Sequence, residues 1–327
     1  MTRRRPRRRM VALVAVVVSS LLATGCGLKS AEQFTPAAEP GSIKPIPELE
    51  GARIVVGSKD FTEQLILGKM AVILLRVAGA DAVDQTGIAG SVATRQALVS
   101  GEIDANWEYT GTAWISYLGR TKPVPGRMAQ WRAVRRADAR NGLEWYPPAP
   151  LNNTYAFAVR EQTARRLGIS KLSDLAGVPR EELTFCVDSE FASRDDGFEP
   201  MLDTYGVPLG EVVPRRNVRI MDAGVIYDAT ARGRCTFGEV FTTDGRIKAL
   251  NLVVLDDDKG FFPNYNVAFN VRSDVARRYP QIRQVIEPVS AELTTEVMQE
   301  LNARVDVDGE DPGLVARDWL RSKGFVR

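Results

Sequence analysis

The chain has 327 residues, enough for two domains of ordinary size. It contains no histidine, which excludes Ser-His-Asp triads, histidine metal sites and imidazole proton shuttles. Six of its 43 basic residues are arginines within the first nine positions, and the remaining 37 against 41 acidic residues give a net charge of −4. A mildly acidic body argues against nucleic-acid binding.

The N-terminus has the pattern of a secretory signal. Residues 10–23 form an apolar run that is too short for a permanent span of a bilayer core of ~30 Å. The run leads into Leu22-Ala23-Thr24-Gly25-Cys26, which resembles a bacterial lipobox, with ordinary signal cleavage as the alternative. We therefore predict a signal peptide over residues 1–25 and lipidation of Cys26. A proline-rich tether over residues 26–50 would anchor a globular body at the extracytoplasmic face of the cell membrane.

Strand and helix patterns then alternate along the body. Strands are predicted at residues 53–57, 82–85 and 103–107, and helices from residue 62 to Gly79, at 91–99 and at 112–118. A second block begins with an apolar strand at 155–159, and residues from 274 onward have helical patterns. This rhythm predicts two α/β lobes with mostly parallel sheets. Residues 51–151 and 260–327 would form the first lobe, and residues 152–259 the second.

Two cysteines remain beyond the predicted anchor, Cys186 and Cys235. Both lie in short apolar segments with a predicted helix between them, so a βα crossover could bring the two segments side by side. In an oxidising compartment such a pair would close a loop of about 50 residues as a disulfide. Two buried free thiols are the alternative.

Polar and aromatic residues follow the predicted strands, where open α/β sheets bind their ligands. The segments include GSKDFTEQ at 57–64, EYTGT at 108–112, NNTY at 152–155, and stretches at 189–197, 227–229, 241–246 and 256–263. In this order they resemble the substrate-binding proteins of ABC importers for quaternary amines such as glycine betaine, choline and carnitine. The resemblance runs from about residue 53 to residue 320. It implies a bilobal, periplasmic-binding-protein-like (type II) α/β fold that closes on its ligand and delivers it to a permease and an ATPase.

The resemblance also implies an aromatic cage. A trimethylammonium group carries a permanent charge and no N–H, so aromatic faces hold it, each contributing roughly 0.5–2 kcal/mol. By motif position we assign Tyr109, Tyr155 and Tyr227, placed at strand ends, to this cage. Either Phe241 or Tyr265 would form the fourth wall.

A ligand carboxylate would bind Arg194, Thr112 or backbone N–H groups at the helix start after the first strand, where we select Ser58 and Gln64. Arg194 could instead belong to an ion-pair network with the two aspartates that follow it. Trp107 could line the pocket or simply pack in the core. We expect a monomer with no metal ion and no cofactor.

Three alternatives remain open. A binding protein for an amino acid or a polyamine would need a buried carboxylate opposite the ligand's N–H groups, for which Asp60, Asp104 and Asp228 are candidates. Asn106-Trp107 replaces the Tyr-Pro that many relatives place before EYTG, and this change bears on ligand identity. A secreted enzyme has less support because the chain contains no GxSxG, CxxC or P-loop motif. The polar and aromatic residues at strand ends disfavour a purely structural lipoprotein.

Overall fold

The computed structural model describes residues 34–327. They form two five-stranded sheets joined by two chain segments, residues 146–154 and 255–266. The predicted signal peptide and the predicted lipidation site at Cys26 lie outside the described residues. Within residues 34–327, no helix has the length and apolar character needed to cross a membrane.

Ten strands build the two sheets. In chain order they are β1 (Arg53–Lys59), β2 (Asp81–Ile88), β3 (Ala105–Tyr109), β4 (Leu143–Trp145), β5 (Tyr155–Arg160), β6 (Phe185–Val187), β7 (Val218–Ile220), β8 (Phe237–Phe241), β9 (Leu252–Val254) and β10 (Val267–Arg272). The first sheet has the order β2-β1-β3-β10-β4, and the second has the order β7-β6-β8-β5-β9. Each sheet with its helices forms one lobe.

Helices cover both sheets. In chain order they are α1 (Thr62–Val77), α2 (Gly90–Ser100), α3 (Thr110–Thr112), α4 (Arg127–Asp138), α5 (Glu161–Leu167), α6 (Ser189–Ser193), α7 (Phe198–Thr204), α8 (Ala223–Ala231), α9 (Arg246–Ala249), α10 (Ser273–Arg278), α11 (Ile282–Glu292), α12 (Thr295–Asp306) and α13 (Pro312–Ser322). A π-helical turn, Ala113–Tyr117, continues α3. Since α1 lies between the first sheet and α11, α12 and α13, it is buried along nearly its whole length.

The sheets are mixed, whereas the sequence pattern predicts mostly parallel pairing. β1 pairs parallel with β2 and β3, and β6 pairs parallel with β7 and β8. In contrast, β10 runs antiparallel to β3 and β4, and β5 runs antiparallel to β8 and β9. The reason is topological: β5 and β10 each enter a lobe from the other lobe, at the edge where the parallel strands end, and so run in the opposite direction.

The predicted tether is partly docked on the first lobe. Glu39 and Arg327 exchange backbone hydrogen bonds of 2.9 and 2.8 Å, and the N–H of Ser42 donates to the carbonyl of Gly324 at 2.8 Å. Ile43 and Leu49 are buried, the latter completely. Residues 39–49 of the predicted linker are therefore docked, because these apolar side chains and backbone groups find partners at the C-terminus and on the lobe.

A disulfide bond joins Cys186 and Cys235, with their Cα atoms 5.8 Å apart. Cys186 lies in β6, and Cys235 lies just before β8, the parallel neighbour of β6. Along the chain, α6, α7, β7 and α8 lie between these two strands. The bond therefore fastens two neighbouring parallel strands of the second lobe to each other.

Candidate functional site

A cavity of about 630 Å³ lies between the two lobes, where β1, β3 and β8 end and β5 begins. This is the edge at which open α/β sheets bind ligands. Five aromatic side chains line it: Phe61, Tyr109, Tyr155, Phe241 and Tyr265. Both lobes and the segment between them contribute to this set, which we call the aromatic cage.

The rings of the aromatic cage contact one another across the cleft. Phe61, at the start of α1, stacks on Phe241 of the second lobe with ring centroids 5.4 Å apart, and on Tyr109 at 6.2 Å. Tyr155 lies 5.4 Å from Phe241 and 5.5 Å from Tyr265, the latter nearly perpendicular at 87°. Ring faces therefore approach the cavity from several directions.

Strand pairing fixes two of the cage side chains. Tyr155, the first residue of β5, lies opposite Phe241, the last residue of β8. The backbone N–H of Phe241 also donates to the hydroxyl oxygen of Tyr227 at 2.9 Å. Tyr227 thus holds the end of β8 from behind.

Tyr265 is held by its neighbours in the segment that leads into β10. Its backbone N–H donates to the Asn152 side chain at 2.7 Å, and its hydroxyl donates to Asp196. The ring packs directly on Gly111 of the EYTGT motif, where a Cβ atom would come within 2.6 Å of it. Only glycine at this position lets the ring lie where it does.

The basic groups around the cavity all have acidic partners. The Lys59 ammonium lies 2.8 Å from Glu108 and 5.0 Å from the centre of the Tyr109 ring. Arg246 pairs with Asp244 and lies 3.4 Å from Asp306. Seven carboxyl and two basic side chains of the described residues line the cavity, and this acidic surplus suits a cation.

Glu63 is a buried carboxyl group on the cavity wall. It accepts hydrogen bonds from the Tyr109 hydroxyl at 2.7 Å and from the Asn153 amide at 3.0 Å. The Asn302 amide approaches its other oxygen at 3.4 Å. Burial raises the pKa of Glu63 above its ordinary value, although the hydrogen bonds oppose that shift.

Glu190 bridges the cleft from the second lobe. Its carboxylate accepts hydrogen bonds from the backbone N–H of Ser91 at 3.0 Å and from the Ser91 hydroxyl. Ser91 lies in the first turn of α2, whose own N-cap, Ala89, offers no side-chain acceptor. Glu190 therefore supplies the N-terminal cap of a helix in the other lobe.

Thr112 lines the cavity together with four of the residues that the sequence analysis assigns to it: Tyr109, Tyr155, Phe241 and Tyr265. Phe241 and Tyr265 both contribute, so the choice between them for a fourth wall does not arise. The other selected residues do not line the cavity, and each has a different reason.

Tyr227 lies within α8 rather than at a strand end. Its ring is buried under the Arg246 guanidinium, 4.2 Å from the ring centre. Trp107 is completely buried and packs edge-on against Phe269 at 5.1 Å, so it is a core residue. Arg194 lies behind Tyr155 in a two-pronged ion pair, with both contacts to Asp196 at 2.7 Å.

Ser58 and Gln64 are also absent from the cavity wall. The Ser58 hydroxyl donates to the Lys59 carbonyl and accepts from the N–H of Gly87 at 3.2 Å. The Gln64 side-chain oxygen faces the N–H of Lys59 at 3.4 Å. Both side chains are completely buried and brace the turn between β1 and α1.

The carboxylates considered for an amino-acid ligand are also separated. Asp60 lines the cavity. Asp104 accepts from the N–H of Val55 at 2.9 Å, inside the first sheet. Asp228 pairs with Arg232 along α8.

Several cavity residues were not selected from the sequence, and four of them illustrate why. Lys59, Phe61 and Glu63 belong to the GSKDFTEQ segment, which the motif marks as a whole without showing which side chains face the ligand. Asn302 of α12 has no local signal, since it meets Glu63 across 239 positions of sequence.

Fold and cavity together define a bilobal binding protein with an aromatic site between its lobes. Residues 52–322 match the family described as the substrate-binding domain of ABC-type glycine betaine transport systems. The chain therefore belongs to this family of extracytoplasmic substrate-binding proteins, whose members serve transporters and are not enzymes.

Individual relatives agree with the family match. A glycine-betaine-binding protein of Pseudomonas aeruginosa is 41% identical over 274 residues, which cover 81% of this chain and 86% of that protein. The glycine betaine-binding protein YehZ of Escherichia coli is 32% identical over 288 residues, which cover 86% of this chain and 94% of that protein. A crystal structure described as a glycine betaine/carnitine/choline ABC transporter matches with a TM-score of 0.68 and 26% identity, over 83% of this chain and 99% of that chain.

Proposed function

We propose that the protein is the receptor of an ABC importer and binds a quaternary ammonium compound, such as glycine betaine, choline or carnitine, in the aromatic cage. The observation that carries this proposal is the convergence of five aromatic side chains, from both lobes and the segment between them, on one cavity. The two relatives that are glycine-betaine-binding proteins support the ligand class.

The chemistry of the cavity suits such a ligand. Burial raises the pKa values of Tyr109, Tyr155 and Tyr265 well above that of a free phenol, so their rings are neutral at physiological pH. Neutral aromatic faces attract a cation that cannot donate a hydrogen bond. The surplus of carboxyl groups around the cavity adds a favourable field.

Contacts across the cleft support binding by lobe closure. Glu190 reaches Ser91, Arg246 reaches Asp306, and Phe61 stacks on Phe241. We take residues 51–151 with 260–327 as one moving body and residues 152–259 as the other. A ligand that contacts both bodies stabilises the closed state, which the transporter can then distinguish from the open one.

The proposal also includes the location of the protein in the cell, its partner subunits and its physiological role. A lipid on Cys26 would hold the receptor at the extracytoplasmic face of the membrane, beside its permease and ATPase. The protein would act as a monomer without a cofactor. Uptake would serve osmotic protection or nutrition.

Calorimetric titration of the purified protein tests the ligand class. Choline and 3,3-dimethylbutan-1-ol have nearly the same shape, but only choline carries a charge. We expect choline or glycine betaine to bind and the uncharged alcohol to give no measurable heat. Equal binding of choline and the alcohol would show a merely hydrophobic pocket, and binding of an amino acid alone would refute the ligand class.

A pair of phenylalanine variants tests the cage. Phe241→Leu keeps an apolar side chain but removes a ring face, so Kd should rise about 2- to 30-fold, which corresponds to roughly 0.5–2 kcal/mol. Phe325→Leu is the matched control, because that ring packs on Trp319 and does not line the cavity. An unchanged Kd in the folded Phe241→Leu variant would contradict the cage.

A further inference from the structure

Glu63 has the position expected of a counter-ion for a cationic ligand. Its side chain lies on the cavity wall, is buried, and receives the hydroxyl of the cage residue Tyr109. Within residues 34–327 no lysine or arginine forms an ion pair with it. The two basic side chains that line the cavity, Lys59 and Arg246, are engaged by other carboxylates.

Three hydrogen bonds to Glu63 come from groups on different elements. Tyr109 ends β3, Asn153 lies in the first segment between the lobes, and Asn302 lies on α12. All three direct donors at the carboxyl oxygens, which orients the group rigidly. A buried carboxyl held in this way gains most when a positive charge arrives beside it.

We propose that Glu63 is the counter-ion of the bound ammonium group and gives up a proton when the ligand binds. The O–H bond of the carboxylic acid breaks, the electron pair stays on the carboxylate, and the proton passes to the solvent. This inference rests on the proposed function, since it needs a cationic ligand in the aromatic cage.

The sign of the pH dependence follows from the burial of Glu63. Without ligand its pKa is raised above the ordinary value, and a cation nearby lowers it again. At a pH between the pKa of Glu63 in the bound protein and its pKa in the free protein, ligand binding releases a proton. Affinity therefore rises with pH in this range and levels off once the carboxyl of the free protein is ionised. Glycine betaine and choline keep their ammonium charge at every pH, so the change belongs to the protein.

Other ionisable groups also surround the cavity and must be separated from Glu63. They are Lys59, Asp60, Tyr109, Tyr155, Asp188, Glu190, Asp222, Asp244, Arg246, Tyr265 and Asp306, with Glu108, Arg194, Asp196 and Glu239 behind them. Asp306 is the group most similar to Glu63. Burial raises its pKa too, but Arg246 already lies opposite it.

The experiment is a calorimetric titration of the protein with choline and with glycine betaine, from about pH 5 to pH 8, in buffers of low and high ionisation enthalpy. The difference between buffers counts the protons released. We expect up to one proton released per ligand and an affinity that rises about tenfold across the range, the scale of one charge pair in a partly solvated site.

Glu63→Gln should abolish both the proton release and the pH dependence, whereas Glu199→Gln, at an exposed carboxylate that does not line the cavity, should keep them. The number of protons released by the unmodified protein tests the proposal even if a variant fails to fold. Binding with a constant Kd and no proton release would overturn the role of Glu63 and leave the proposed function intact. A pH dependence that survives Glu63→Gln would also overturn it. No binding of either amine at any pH would refute the proposed function, and this inference with it.

Discussion

Glu190 makes lobe closure testable with one substitution. Its carboxylate caps the first turn of α2 across the cleft, through the N–H of Ser91 at 3.0 Å and the Ser91 hydroxyl. Burial alone would raise its pKa, but the charge of Lys59 and the hydrogen bonds of Ser91 hold that pKa below the ordinary value. Glu190 is therefore charged at neutral pH, and an anion at a helix N-terminus is stabilising.

The expected cost of removing Glu190 can be estimated from these contacts. Two charge-assisted hydrogen bonds and the helix-end interaction together contribute about 2 kcal/mol to the closed state. Because the contacts join the two lobes, Glu190→Ala should raise Kd about 30-fold, by a similar factor for choline and glycine betaine. Glu190→Gln keeps one acceptor and should have a smaller effect.

Calorimetry with choline and with glycine betaine measures the rise in Kd for each ligand. Small-angle scattering reports whether the ligand-free variant is more open than the ligand-free unmodified protein. Glu199→Gln is a suitable control, because Glu199 lies in a long, exposed ion pair with Arg215 at 3.8 Å. An unchanged Kd in Glu190→Ala would refute the closing role. A loss confined to one ligand would show instead that Glu190 recognises that ligand directly.

Three further variants test the site and the fold around it. Gly111→Ala should displace the Tyr265 ring and weaken ligand binding at least about tenfold. An unchanged Kd in this variant would show that the close approach of the ring to Gly111 is unimportant for binding. Replacing Cys186 and Cys235 by alanine opens a loop that spans 49 positions and should lower the free energy of unfolding by about 4 kcal/mol in denaturant titrations. Tyr227→Phe removes the acceptor of the partly buried N–H at the end of β8, which should cost about 1 kcal/mol of stability. No loss of stability there would mean that water replaces the hydroxyl.

Local patterns predict the elements of this fold well. The helix expected from residue 62 is α1, Thr62–Val77, and it ends just before Gly79, whose φ of 101° suits glycine. Strand direction is not a local property, and the sequence pattern therefore predicts mostly parallel sheets where β5 and β10 run antiparallel. Docking of residues 39–43 on the C-terminus is likewise a contact between distant parts of the chain.

In the site, too, some residues are predicted from local patterns, whereas others depend on how the chain folds. Motif position brings Tyr109 and Tyr155 to the cavity because strand ends of an α/β sheet share one edge. Within GSKDFTEQ the sequence does not predict which side chains line the cavity. The reason is that β1 is buried on both faces, so burial does not distinguish the face that borders the cleft. Lys59 therefore faces the cavity where Ser58 was expected. Tyr227 is misplaced because it lies inside α8, the helix that precedes Cys235, and not at the end of a strand.

A crystal structure of the protein with glycine betaine or choline would test the aromatic cage most directly. We expect the trimethylammonium group to lie within about 6 Å of the ring centres of the aromatic cage, with both lobes in contact with the ligand. The Glu190–Ser91 contact should be present in that complex. A ligand bound outside the cavity, or an ammonium group turned away from the rings toward solvent, would contradict the proposed mode of binding.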